Sequence, residues 1–245
     1  MIVEMFGPPA VGKTTFARAL AVQLRAGGLP VTLVVSDRPA DRAKEGATCG
    51  APGALQRVVR PVVALAATTR EMLARSPDAQ TISQVLAMVS PAGMLRSVRF
   101  RQYLLRLLLS WREAAQRKDI ITLFDQGCAQ AVCSLATHMR ERDLERLRRL
   151  LLLLPAGDLL IRVDAPRARV RAKLRARLER QGPLERCMER SLEEGLAFIP
   201  IAAEIDAVCH ALGRQVIMVD TADEQARGDA VLRIAVAIAT MGHLP

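Results

Sequence analysis

Met1-Ile2-Val3-Glu4-Met5-Phe6-Gly7-Pro8-Pro9-Ala10-Val11-Gly12-Lys13-Thr14-Thr15 opens the chain, and its reading decides the fold. Met1 to Phe6 is a short apolar run ending at a glycine, the pattern of a buried strand. From Gly12 to Arg25, Phe16, Leu20 and Leu24 recur at i, i+4 and i+8, which predicts a helix with one buried stripe. Gly27-Gly28 stops it. Between strand and helix, Gly7 to Thr14 satisfies GxxxxGK[ST] in full. Glycines let such a loop curl so that its N–H groups face a phosphate, and the helix N-terminus adds positive dipole. Lys13 is expected to reach the β- and γ-phosphates, and the Thr14 hydroxyl to ligate Mg²⁺. The loop residues Gly7, Pro8, Pro9, Ala10, Val11, Gly12, Lys13, Thr14 and Thr15 are thus expected to hold a nucleoside triphosphate. A chance match in a glycine-rich turn would lack the strand before and the helix after.

Working outward, Val31 to Val35 reads as a second strand ending at Ser36-Asp37. Asp119 to Phe124 reads as a third that delivers Asp125, Leu159 to Val163 as a fourth ending at Asp164, and Gln215 to Val219 as a fifth. Helices are predicted over Ala54 to Arg75 (interrupted at Pro61), Thr81 to Val89 and Met94 to Lys118. Ala129 to Leu154 reads as one helix or two, and further helices span Pro166 to Arg180, Ser191 to Leu212 and Glu224 to Met241. Arg38 to Gly53 is a long loop. Strands separated by helices predict a parallel sheet covered on both faces, and the near-continuous apolar strands agree. One domain over residues 1–245 is expected, with a helical region at about 40–118 and an Arg-rich flap at about 176–190.

Composition narrows the function classes. The 245 residues carry a formal charge of +10, almost all of it from Arg, since Lys13, Lys44, Lys118 and Lys173 are the only lysines. The charge is spread over several amphipathic segments and forms no tail, so most of it reads as solvated helix face. With 3% aromatics there is little to build a base-stacking surface, and nucleic acid is not an expected partner. Cys49, Cys128, Cys133, Cys187 and Cys209 form no CxxC pair or Cys/His cluster. An odd count without a signal-peptide pattern suggests reduced thiols in a cytoplasmic protein. No apolar run approaches the ~20 residues that cross a bilayer.

Asp125 ends an apolar strand at the sheet edge where ligands bind. An acid there holds the Mg²⁺ shell or accepts a proton, or it caps the helix after Gly127. Many P-loop ATPases carry Glu next to this Asp to activate water, whereas here the residue is Gln126. Ser36-Asp37-Arg38-Pro39 could meet an acceptor or form a turn. In the helix from Pro166, the buried stripe is Val170, Leu174 and Leu178. Arg169, Lys173 and Arg177 share another face, and Arg180, Arg186 and Arg190 follow. A basic flap of this kind would neutralise charge during phosphoryl transfer. His138, His210, Trp111 and Tyr103 read as packing or surface residues.

With these residues assembled, the chain resembles the thymidylate kinase-like branch of the P-loop nucleoside and nucleotide kinases. The resemblance rests on Gly7 to Thr15, on Ser36-Asp37-Arg38-Pro39, on Asp125-Gln126-Gly127, and on Asp158 to Pro166 followed by Lys173 and Arg177. It implies a three-layer P-loop NTPase fold with five parallel strands in the order 2-3-1-4-5, together with ATP, Mg²⁺ and a lid. Gln126 stands where that branch has an acceptor-contacting Arg, and Ser36-Asp37-Arg38 departs from its Thr-Arg-Glu type segment. These departures set the acceptor side apart from thymidylate.

The expected activity is transfer of the γ-phosphoryl group of ATP to a nucleoside, nucleotide or similar small acceptor. Lys13, Asp125 and Arg177 are the candidate catalytic residues. Lys173, Arg177 and Arg180 are expected to join the loop in holding ATP, and Thr14 and Asp125 to hold the metal. Asp37, Arg38, Arg101 and Gln126 are expected to face the acceptor. The alternative is a nucleotide-dependent regulatory ATPase or switch without an acceptor, although no Asn-Lys-x-Asp or Asp-x-x-Gly motif stands at the expected places. Leu104 to Leu109 and Leu144 to Leu154 offer faces that could pair across a two-fold in a homodimer.

Overall fold

The computed structural model describes residues 1–36, 76–89, 94–139, 141–180 and 191–241, with the side chains of 94–96 excepted. The loop Arg38 to Gly53 and the helix expected over Ala54 to Arg75 lie outside the described residues. The strands are β1 (Ile2–Phe6), β2 (Val31–Val34), β3 (Ile121–Phe124), β4 (Leu159–Asp164) and β5 (Val216–Asp220). They form one sheet in the order β2-β3-β1-β4-β5, every pairing parallel, as the resemblance implied.

The helices are α1 (Lys13–Ala26), α2 (Pro77–Val89), α3 (Met94–Gln116), α4 (Cys128–Ala136), α5 (Leu144–Leu153), α6 (Arg167–Glu179), α7 (Leu192–Leu196), α8 (Phe198–Ala211) and α9 (Glu224–Met241). The period-2 alternation of the strands sorts them into two layers. Ile2 and Phe6 of β1, with Phe124 and Leu160, bury against α2, α3, α4, α5 and α8. Val3 and Met5, with Leu123, Ile161 and Val163, bury against α1, α6 and α9. Phe6, Phe16 and Phe124 are fully buried, and burial of each such side chain is worth about 1.5–3 kcal/mol. The edge strands are less covered: β2 is half-buried throughout and Met218 of β5 is 59% exposed.

Element ends depart from the sequence expectations for local reasons. The Ser76 hydroxyl accepts from the Ala79 amide at 3.2 Å, so α2 starts at Pro77 rather than Thr81. Asp119 and Ile120 are spent in a turn, and β3 begins at Ile121, whose amide donates to the Pro30 carbonyl at 2.9 Å. The stretch from Ala129 divides in two because the Asp143 carboxylate caps α5, accepting from the Arg146 amide at 2.6 Å. The stretch from Ser191 also divides. Pro200 has no N–H to give the Leu196 carbonyl, so α7 ends and α8 starts anew at Phe198. A capping box of Ser191 and Glu194 opens α7. The leucines of the two Leu-rich helices are mostly used within the chain: Leu104, Leu105, Leu107, Leu108, Leu147, Leu150 and Leu151 are core, while Leu109, Leu144 and Leu152 stay exposed. Trp111 stacks on Phe124 with centroids 4.9 Å apart. Among the described residues no helix is long and apolar enough to cross a membrane.

Candidate nucleotide site and adjoining cavity

Gly7 to Gly12 joins the end of β1 to the start of α1. Gly7 has φ +143°, and a Cβ there would sit 2.1 Å from the Val163 carbonyl oxygen. Only glycine lets the loop leave β1 this close to the end of β4. Gly12, φ +111°, caps α1 without any side-chain hydrogen bond, and Ala10 also takes a left-handed φ of 61°. First-turn amides of a helix have no intrahelical partner. α1 begins with no capping side chain directly after the glycine-built loop, the arrangement that suits an anion. On the far side, the buried Thr221 hydroxyl lies 2.9 Å from the Val11 carbonyl and 3.0 Å from that of Asp164, which share its one proton. Thr221 thereby ties the loop to the ends of β4 and β5.

Lys13 is 7% exposed, and its ammonium donates to the carbonyls of Gly7 at 2.8 Å and Pro8 at 2.7 Å. It is folded back over the loop that it would share with a phosphate. The Thr14 hydroxyl donates to Asp125 Oδ2 at 2.6 Å, while Asp125 Oδ1 accepts from the Ser36 amide at 2.8 Å. Asp125 is fully buried, so its first office here is to orient Thr14 and the end of β2. Thr15 is exposed on the first turn of α1.

Three buried residues that sequence reasoning passed over support the loop from below. Gln130, on α4 and 4% exposed, accepts from the Gly7 amide at 2.9 Å. Glu4, fully buried in mid-β1, accepts from the amides of Ala129 at 3.0 Å and Gly157 at 3.3 Å. Burial pushes the Glu4 carboxyl above the usual carboxylate range, against the pull of these amides and of the Arg214 guanidinium. Thr221 is the third. Gly127 fits beneath α4 because a Cβ there would meet Glu4 Oε2 at 2.2 Å and Glu4 Cβ at 2.4 Å. The signals were slight: one charge in an apolar strand, one amide in the apolar run of α4, one hydroxyl past a strand end. Cys128, Cys133 and Cys209 are buried nearby, and burial raises all three thiols, Cys133 and Cys209 to about 12. They are packing groups.

Beyond Asp125, on the β2–β3 side, lies a cavity of about 590 Å³ between α3 and the ends of β2 and β3. That volume falls in the range of small-ligand sites. Its walls include Val35, Ser36, Tyr103, Leu107, Phe124 and Gln126. Tyr103 and Gln126 thus meet at one cavity. Arg101 is half-buried on α3 and is not part of the cavity wall. Asp37 and Arg38 lie outside the described residues, as do Arg186 and Arg190. On the other side of the loop, α6 carries Lys173 and Arg177, both half-buried, and exposed Arg180 follows at its C-cap. Burial lowers the Lys173 ammonium, and the neighbouring cations Arg169 and Arg227 lower it further. Arg162 on β4 bridges Asp164 at 2.7 Å and Asp206 at 2.8 Å, fixing the strand from which α6 departs.

A glycine-built loop between β1 and α1, with an acid from the neighbouring strand on its threonine, decides the architecture. The fold is a P-loop NTPase fold. No protein-family model matches the sequence, and no curated protein matches it. Among solved structures the chain is similar to thymidylate kinase from Ehrlichia chaffeensis, at 13% identity and a TM-score of 0.46, over 97% of this chain and 98% of that one. The P-loop assignment rests on the loop and the strand order.

Proposed function

We propose that the protein is an ATP-dependent phosphotransferase acting on a small acceptor. The observation that carries this reading is the 2.6 Å bond between Thr14 and Asp125, which stands between the phosphate loop on one side and a separate cavity on the other. A donor site and an acceptor space so share one carboxylate-oriented edge of the sheet. Thr14 and Asp125 are hard oxygen ligands, the donor set Mg²⁺ prefers. That ion commonly takes one or two protein ligands and fills its shell with water and phosphate oxygens. When bound, Mg²⁺ would supply charge neutralisation for the β- and γ-phosphates.

The protein's own groups do the rest. The loop amides and the dipole of α1 hold the triphosphate. Lys13 leaves the Gly7 and Pro8 carbonyls and turns to the β- and γ-oxygens. Asp125 holds Thr14 in place through one oxygen and the end of β2 through the other. Lys173, Arg177 and Arg180 on the α6 side would close over the transferring group.

Lys13→Ala tests the reading. ATP turnover is expected to be abolished, while circular dichroism and melting show a folded protein. Wild-type turnover in that variant sinks the proposal. Hydrolysis indifferent to every acceptor tried would instead support a regulatory ATPase.

A further inference from the structure

The walls of the cavity beyond Asp125 speak to the chemical class of its occupant. Val34, Val35, Leu107, Leu109 and Phe124 supply an apolar surface. The polar lining groups Ser36, Tyr103, Ser110 and Gln126 are all neutral. Among the described lining residues Arg106 is the one charge. It is exposed, and its Nε donates to the Gln102 carbonyl of its own helix at 3.2 Å. Asp125, fully buried between the lining residues Phe124 and Gln126 in the chain, adds a carboxylate close by. Among the described walls a phosphate dianion drawn into such a space would meet only the exposed Arg106 guanidinium, with apolar and neutral groups around the rest of it, at a large desolvation cost.

Two polar groups are left waiting. The Tyr103 hydroxyl is buried and makes no hydrogen bond to any described residue. It lies within electrostatic reach of Asp125 and Cys128, and Tyr103 is one of the residues lining the cavity. The Gln126 side-chain amide likewise makes no hydrogen bond to a described residue, although it stands at the cavity next to Asp125. Buried polar atoms are nearly always paired, so an unpaired hydroxyl beside a cavity marks where a ligand's polar atom belongs.

We propose that this cavity takes an uncharged, hydroxyl-bearing acceptor with one apolar face, and not a monophosphate. The proposal rests on the phosphotransferase reading above. The acceptor's apolar face lies on Val35, Leu107 and Phe124, and its polar edge meets Tyr103 and Gln126. In the reaction the acceptor oxygen bonds to the γ-phosphorus. The bond from that phosphorus to the β–γ bridging oxygen breaks, and its electron pair leaves with ADP. The hydroxyl proton passes to water.

The test uses the full chain with radiolabelled ATP, Mg²⁺ and matched pairs of acceptors: nucleosides against their 5′-monophosphates, and free sugars against their sugar phosphates. The neutral member of at least one pair is expected to be labelled with kcat/KM about tenfold or more above its phosphate. Tyr103→Phe and Gln126→Leu are expected to raise KM for that acceptor by about three- to tenfold, with the Kd for ATP unchanged. Loss of an unpartnered hydroxyl leaves the melting temperature of Tyr103→Phe at or above wild type, so a KM effect there separates recognition from packing. Preference for monophosphates, or an unchanged KM in both variants, overturns the acceptor class while the phosphotransferase reading stands. ATP binding with no acceptor of either class labelled overturns the phosphotransferase reading itself and this proposal with it.

Discussion

Replacing Gln130 by Leu removes the acceptor of the first amide in the phosphate loop. Both partners are buried and 2.9 Å apart, and leucine fills nearly the same volume, so the change isolates one hydrogen bond. A buried donor left unpaired costs about 1–3 kcal/mol. For a chain of this length each kcal/mol shifts the melting point by about 2–4 °C, so a fall of roughly 2–12 °C is expected. The same energy bounds the effect on binding. If the Gly7 peptide turns away to find another acceptor, ATP must turn it back, and the Kd rises by up to about 5- to 150-fold. Gln130→Glu separates the two effects. Its carboxylate still accepts from Gly7, so a fall in its melting point reports the burial of a charge and not an unpaired amide. Its negative charge facing the triphosphate weakens ATP in a manner that salt relieves. Calorimetric melting and titration with ATP on both variants suffice. A Gln130→Leu protein melting within about 1 °C of wild type, with an unchanged Kd, would refute the claim that α4 holds the loop in shape.

Two further outcomes follow from Glu4 and its neighbours. Gly127→Ala brings a methyl within 2.4 Å of the Glu4 Cβ, so overpacking of about 1–3 kcal/mol or more is expected in urea unfolding, and Glu4→Gln does not rescue it because the Cβ remains. Glu4 binds its proton more tightly folded than unfolded. Stability therefore falls as pH climbs from the ordinary value of 4.5 through the raised value of Glu4. Urea midpoints measured across that window are expected to slope downward in the wild type and to flatten in Glu4→Gln. An equal slope in both assigns the effect to another group.

What the sequence disclosed and what it withheld divide by the range of the interactions. The loop is local: Gly7, Gly12, Lys13 and Thr14 lie within eight residues of one another, and their chemistry needs only the strand before and the helix after. The sheet was legible for a related reason. Strands covered on both faces are almost purely apolar, so β1, β3 and β4 announce themselves, and Asp125 shows as the first charge after such a run. Helix ends were less legible because they turn on single bonds. Ser76, Asp143 and Pro200 set three of them, and each is an ordinary residue until its partner is known.

The supports of the loop were hidden by distance. Gln130 meets Gly7 across 123 residues, Glu4 meets Ala129 across 125, and Thr221 meets Val11 across 210. Gly127 shows the consequence. From sequence it reads only as the residue before a helix. In the structure its φ is −101°, which any residue adopts. Glycine is required instead because Glu4 comes up from β1 to receive the amide of Ala129, leaving no room for a Cβ. The buried carboxylate draws α4 against the sheet, α4 carries Gln130, and Gln130 fixes the peptide on which the phosphate loop begins. One acid in an otherwise apolar strand is therefore part of what holds the loop in shape. A sequence pattern that looks only at the loop passes it by.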